Sequence, residues 1–218
     1  IVREECEVPW RVYRPGAVVG SSVTGEMDKI DGPYYLFPTI KAIRDTVPKW
    51  LPLLGVEGGK IPIVPVDYVA DATIAIAHKP GLDGKAFQLL QSPQDSTGRI
   101  MEIMFDAAHG PGFATQFELP SMPKLVSRGI RETTRLLPLK VAARQMSRAT
   151  GIPAAALGYI TSQVSFDDRE ARAALKGTGI SCPKLKDYAP VLWNYWESHM
   201  DFPKSHRGGK KKLAGKVV

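Results

Sequence analysis

Between residues 61 and 90 the chain reads as strand, helix and strand with little room for anything else. Ile61-Pro62-Ile63-Val64-Pro65-Val66 is a β-branched run broken by prolines, which suits an edge strand or one paired over a short stretch. Asp67 stands where a carboxylate caps a helix by accepting from its first free amides. Tyr68 to Ala77 is then a helix, apolar nearly all round through Val69, Ala70, Ala72, Ile74, Ala75 and Ile76, so burial on several sides is predicted. Gly81-Leu82-Asp83-Gly84 turns the chain into a second short strand, Ala86-Phe87-Gln88-Leu89-Leu90. With the segments before it, this order belongs to an α/β sheet protein.

Upstream, residues 1–7 have the charged pattern of a helix end, and Val8-Pro9 breaks it. Trp10-Arg11-Val12-Tyr13-Arg14 alternates as a strand does. Pro15 to Gly25 is a loop of small residues, a composition that lets backbone approach a ligand closely. Leu36, Ile40, Ile43, Val47 and Trp50 form one stripe of an amphipathic helix entered through Asp31-Gly32-Pro33. Tyr34, Tyr35 and Phe37 crowd its start, either as core or as a substrate-facing cluster, and Gly55, Gly58 and Gly59 form a loop before Lys60.

From Gly98 the character changes to mainly helical. Ile100 to Ala108 is a helix, Phe113 to Leu119 alternates like a strand, and Leu125 to Gly158 is mostly helical with many Arg and Lys. That basic face is a solvated surface or a phosphate-reading one. Asp167-Asp168 reads as a cap at the start of a helix, and Leu185 to Met200 is the last helix.

Charge misleads until it is placed. The 218 residues carry a net +7, which invites a polyanionic partner. Six of those charges, Lys204, Arg207, Lys210, Lys211, Lys212 and Lys216, lie in residues 202–218 without an acid among them. The body is electrically ordinary, and no nucleic-acid partner is expected for it. Cys6 and Cys182 read as reduced thiols of a cytoplasmic protein, since two distant cysteines make neither a disulfide framework nor a zinc site. His78, His109, His199 and His206 are scattered, so no metal is expected. No apolar run approaches the roughly 20 residues of a membrane span.

No phosphate-loop motif, spaced glycine fingerprint or Gly-x-Ser-x-Gly elbow occurs, and the residues alone show no catalytic set. A resemblance does emerge. Trp10 to Gly20, followed by Thr24-Gly25, resembles the strand and loop after the catalytic helix of extended short-chain dehydrogenase/reductases, in particular members similar to fatty acyl-CoA and thioester reductases. Val64-Pro65-Val66-Asp67-Tyr68-Val69-Ala70-Asp71 resembles that family's short strand leading into a buried helix, and Ala86 to Leu90 the strand that comes next. The family works through Tyr-x-x-x-Lys. No tyrosine here has Lys four residues on: Tyr13, Tyr34, Tyr35, Tyr68, Tyr159, Tyr188 and Tyr195 are followed there by Ala, Pro, Thr, Ala, Gln, Leu and His.

The resemblance therefore implies the C-terminal portion of a reductase, with no catalytic residue of its own. Its fold would be the C-terminal part of a Rossmann-like parallel sheet domain (residues 1–97) plus a smaller, mainly helical substrate lobe (98–200). A basic linker (201–212) and the start of a second short-chain dehydrogenase domain (213–218) would follow, the latter because Gly215-Lys216-Val217-Val218 resembles such an opening. The implied cofactor is NADP(H), met by Pro15, Gly16, Ala17 and Val18. Ser21, Ser22, Lys29, Tyr34 and Tyr35 would lie towards the substrate. The implied activity is reduction of fatty acyl-CoA or a related acyl thioester. The alternatives are a nucleotide-sugar epimerase/dehydratase or hydroxysteroid dehydrogenase of the same superfamily, or a non-catalytic protein whose basic tail makes a peripheral membrane or nucleic-acid contact.

Overall fold

The computed structural model describes residues 5–29, 32–118 and 164–200. The basic helical stretch at 125–158, the linker at 201–212 and the segment 213–218 lie outside the described residues. Within them the chain forms a mixed α/β Rossmann-type fold in which every strand pairing is parallel.

β1 (Arg11–Pro15) runs beside β5 (Lys85–Leu89), in register from Arg11 with Lys85 to Pro15 with Leu89. One residue later the chain changes partner. Gly16 still donates its N–H to the Leu89 carbonyl (3.1 Å), whereas Ala17 donates to the Pro62 carbonyl (2.8 Å). β2 (Ala17–Val19) then pairs with β4 (Ile63–Pro65). A Cβ on Gly16 would sit 2.4 Å from the Pro62 carbonyl oxygen, so only glycine passes through this switch. A third pair joins β3 (Leu53–Glu57) to β6 (Phe113–Glu118).

Five helices surround these strands among the described residues: α1 (Phe37–Thr46), α2 (Val66–Ala77), α3 (Thr97–Ala107), α4 (Arg169–Leu175) and α5 (Leu185–His199). α2 begins where Pro65 leaves extended backbone, and buries Tyr68, Ala72 and Ile76, four residues apart. Its burial is one-sided, with Ile74 59% and Val66 45% exposed, so the expectation of burial on several sides is corrected. At its far end the Arg11 guanidinium donates to the Ile76 and Ala77 carbonyls and pairs with Asp83, giving the last turn the donors it lacks. α3 starts at Ser96, whose hydroxyl accepts the Arg99 N–H (3.3 Å).

Two apolar clusters result. One packs α1, α3 and α5 around Phe37, Trp193 and Trp196, with ring centroids 5.2–5.5 Å apart. Full burial of such side chains contributes roughly 1.5–3 kcal/mol each. The other sets Val64, the α2 stripe, Phe87 and Leu89 against Ala171, Ala174 and Leu175 of α4. The chain crosses between clusters more than once: α4 lies in sequence beyond residue 98, yet packs on the β5 and α2 side.

Three local expectations change. Leu53-Leu54-Gly55-Val56-Glu57 is a strand, not part of a glycine loop, because β6 supplies a partner that no neighbouring residue announces. The helix stripe predicted through Trp50 ends at Thr46, after a 3-10 turn at Gly32–Leu36; Val47 is extended and Trp50 is 80% exposed. Asp67 does not cap α2, since its carboxylate is engaged elsewhere.

Candidate functional site

β2 delivers the chain to Gly20, from which it doubles back. Gly25 donates its N–H to the Ser21 carbonyl (2.9 Å), and Ser21 to that of Glu26 (3.1 Å). The Ser21 hydroxyl accepts the N–H groups of Val23 and Thr24, both at 3.2 Å. Three anchors hold this turn to the body. The Gly20 N–H donates to the Tyr34 hydroxyl (2.7 Å) in a buried bond. Ser22 donates its N–H (2.8 Å) and its hydroxyl (2.5 Å) to the two oxygens of Asp67 in the first turn of α2. Gly25, at φ +75°, lies so close to α5 that a Cβ would meet the Val191 carbonyl oxygen at 2.5 Å.

These anchors leave an open cleft of about 500 Å³ at the end of β2. Val18, Val19, Gly20 and Ser21 line it beside Glu26 to Lys29, together with Tyr34 and Val66. Val18 (39% exposed) and Val66 present apolar surface to it, and Glu26, Asp28 and Lys29 are exposed at its rim.

Of the residues expected at the cofactor, Val18 lines this cleft. Pro15, Gly16 and Ala17 lie behind it, with the N–H groups of Gly16 and Ala17 already bonded in the sheet. Of those expected at the substrate, Ser21, Lys29 and Tyr34 line it, whereas Ser22 turns to Asp67 and Tyr35 stands outside. Tyr34 is only 3% exposed and its hydroxyl is taken up by Gly20, so it holds the wall more than it offers a free group. Asp67, Val66 and Met27 were missed. A carboxylate at the first turn of a helix that begins directly after a strand was the available signal, read as a cap.

The carboxylate pair Asp167-Asp168 belongs to ion pairs. The Arg169 guanidinium beside Asp167 holds its carboxyl well below the ordinary range, at about 2, through side-chain hydrogen bonds first and the Arg169 N–H second. Asp168 pairs with Arg172 at 3.0 Å and gives no side-chain cap. Among the described residues no group of His, Cys, Asp and Glu could hold a metal ion, and no helix is long and apolar enough to cross a membrane.

A dinucleotide is the group this fold type takes at the carboxyl ends of its strands. Val18 and Val66 offer a flat ring an apolar wall beside the fixed backbone of Gly20, so the residues present are compatible with such a group.

Residues 1–73 match the family described as Male sterility protein (NAD_binding_4). No curated protein matches the sequence. The terminal R domain from the myxalamid PKS-NRPS biosynthetic pathway is similar at 21% identity and a TM-score of 0.60, over 91% of this chain and 47% of that one. A thiolation-reductase di-domain from an archaeal non-ribosomal peptide synthetase is similar at 15% identity and a TM-score of 0.53, over 88% of this chain and 36% of that one. UDP-glucose 4-epimerase from Bifidobacterium longum, solved with NAD+ and UDP, is similar at 14% identity and a TM-score of 0.50, over 91% and 50%. The chain spans half or less of these structures. The shared feature is the Rossmann-type α/β fold.

Proposed function

We propose that this chain is the C-terminal, substrate-facing part of an NAD(P)-dependent oxidoreductase or epimerase. The observation that carries the reading is the cleft at the carboxyl end of β2, held by Tyr34 and Asp67 in a parallel-sheet fold. A bound dinucleotide supplies hydride transfer there. This chain's residues do the positioning. Val18 and Val66 would hold the ring, Tyr34 keeps the Gly20 backbone in place, and the Ser22–Asp67 pair ties the turn to α2.

Two substrate classes suit the cleft. The exposed carboxylates of Glu26 and Asp28 favour a hydroxyl-rich substrate such as a nucleotide-sugar, a reading supported by the likeness to a UDP-sugar epimerase. The apolar surface of Val18 and Val66 favours an acyl thioester, supported by the likeness to terminal reductase domains. In both, Lys29 is the cation available to a substrate phosphate.

The test is an assay of the complete parent polypeptide with NADH or NADPH and a long-chain acyl-CoA, and with NAD+ and a UDP-hexose. Cofactor oxidation by the first or C4 epimerisation of the second supports the reading and selects the class. Activity with neither pair defeats it. Val18→Asp in an active parent should raise the KM for the dinucleotide; an unchanged KM removes Val18 from the site.

A further inference from the structure

Among the described residues, exposed apolar side chains crowd one short segment: Trp50 is 80%, Leu51 45% and Leu54 71% exposed. Pro48 to Leu51 is a tight turn just after α1, closed by the Leu51 N–H donating to the Pro48 carbonyl (3.0 Å). Lys49 and Trp50 stand at its tip. Leu54 follows in β3, while Leu53 beside it packs against the first apolar cluster. Lys49 is the only charge between Asp45 and Glu57. The other tryptophans of this end, Trp193 and Trp196, are both buried.

The turn has a fixed place. Arg44, two residues before α1 ends, pairs with Glu197, two residues before α5 ends, at 2.8 Å. Its guanidinium also lies over the Trp193 ring, 5.6 Å from the centroid. The turn after α1 and the chain leaving α5 therefore start within about one helical turn of a shared contact. What leaves α5 is residues 202–218, with six cations and no acid. An apolar tip and a polybasic stretch issue from the same end of the molecule.

We propose that this end rests on an anionic phospholipid surface, Trp50 and Leu51 entering the interfacial layer while the basic stretch lies along the headgroups. Trp suits that depth, having an apolar body and a polar N–H. One apolar insertion holds weakly, and a polybasic stretch beside it supplies the second signal that stable anchoring needs. A protein partner fits less well. A stable interface takes about 20–30 residues a side, whereas this is the tip of a turn, and neither cavity includes any of its residues. A nucleic acid would use the cations and stack on Trp50, but gives Leu51 nothing to enter. The contact involves no residue of the cleft, so it stands whether or not a dinucleotide binds there.

Co-sedimentation of the 218-residue chain with phosphatidylcholine vesicles containing about one-third phosphatidylserine tests it, against phosphatidylcholine alone and a DNA duplex. The difference spectrum between parent and Trp50→Phe isolates the Trp50 emission, which should move to the blue on the anionic vesicles. Trp50→Ala should weaken binding about tenfold. Lys210→Gln, Lys211→Gln and Lys212→Gln together should weaken it about a hundredfold at low salt, and less as salt rises. Unaltered binding in Trp50→Ala, no blue shift, equal binding to phosphatidylcholine alone, or tighter binding to the duplex would each overturn the proposal. So would a dimer that Trp50→Ala dissolves, which gives the turn to a second copy. Trp50 emission already blue in buffer would overturn it too, since the chain itself then covers the tip.

Discussion

Tyr34→Phe isolates one atom of the cleft. The substitution removes the hydroxyl that accepts the Gly20 N–H at 2.7 Å and leaves the ring, whose edge-on contact with Phe37 (centroids 5.0 Å apart, planes at 75°) is untouched. Tyr34 is 3% exposed and Gly20 is buried, so water cannot take the place of the lost acceptor. A backbone N–H left buried and unpaired costs about 1–3 kcal/mol. Urea unfolding should show that loss as a shift in midpoint at constant slope. Thermal unfolding should fall by roughly 2–4 °C for each kcal/mol lost. Tyr35→Phe, half-buried and outside the cleft, is the control and should stay within about 0.5 kcal/mol of the parent. A Tyr34→Phe loss below about 0.5 kcal/mol, at unchanged slope, would refute the claim that this bond holds the wall.

Gly25→Ala should cost at least about 2 kcal/mol, because positive φ is unfavourable for alanine and the new Cβ meets the Val191 carbonyl and the Tyr195 Cβ at 2.5 and 2.7 Å; a melt within 1 °C of the parent would contradict this. Glu197 is held below its ordinary value of 4.5, chiefly by its hydrogen bond from Arg44. A carboxylate lowered on folding stabilises above its unfolded value and loses that contribution as the pH falls through the folded one, so the stability gap between parent and Glu197→Gln should close on acidification; a gap constant from neutral pH to pH 3 would speak against the pairing. Burial first, and then Asp67, push the Cys182 thiol up to about 12, whereas Cys6 is exposed. Iodoacetamide at pH 8 should therefore modify Cys6 in a fast phase that Cys6→Ser abolishes, and equal rates at both cysteines would count against it.

What local pattern could show, it did show. β1, α2 and β5 follow from alternation, an apolar helical run and a glycine turn, all within their own segments. β3 does not, because Leu53-Leu54-Gly55 has no strand signature apart from its pairing with residues 113–118. Asp67 was legible as a carboxylate at a helix start but not as the partner of Ser22, from which 45 positions separate it. The stripe from Leu36 predicted Ile40 correctly as core, yet overran into Trp50, since helical spacing says nothing about where the backbone stops. The cleft itself was half visible: a small-residue loop marks the place, while Tyr34 changes from a ligand-facing ring to a bolt only once Gly20 is seen against it.

α2 is gripped at both ends by one short piece of chain. Arg11 serves its last carbonyls, and Ser22 holds the carboxylate in its first turn. Twelve helical residues span about 18 Å, whereas the eleven steps from Arg11 to Ser22 could reach about 36 Å if fully extended. The two grips therefore rest on the long Arg11 side chain and the turn after Gly20 as well as on the strands between them. Removing one residue from the strands between them would shift the pairing by about 3.3 Å and turn the following side chains to the other face of the sheet. Side chains there can be exchanged wherever the switch at Gly16 permits. An insertion or deletion there would instead upset two strand registers at once, β1 on β5 and β2 on β4, so the sheet and the cleft at its end would shift together.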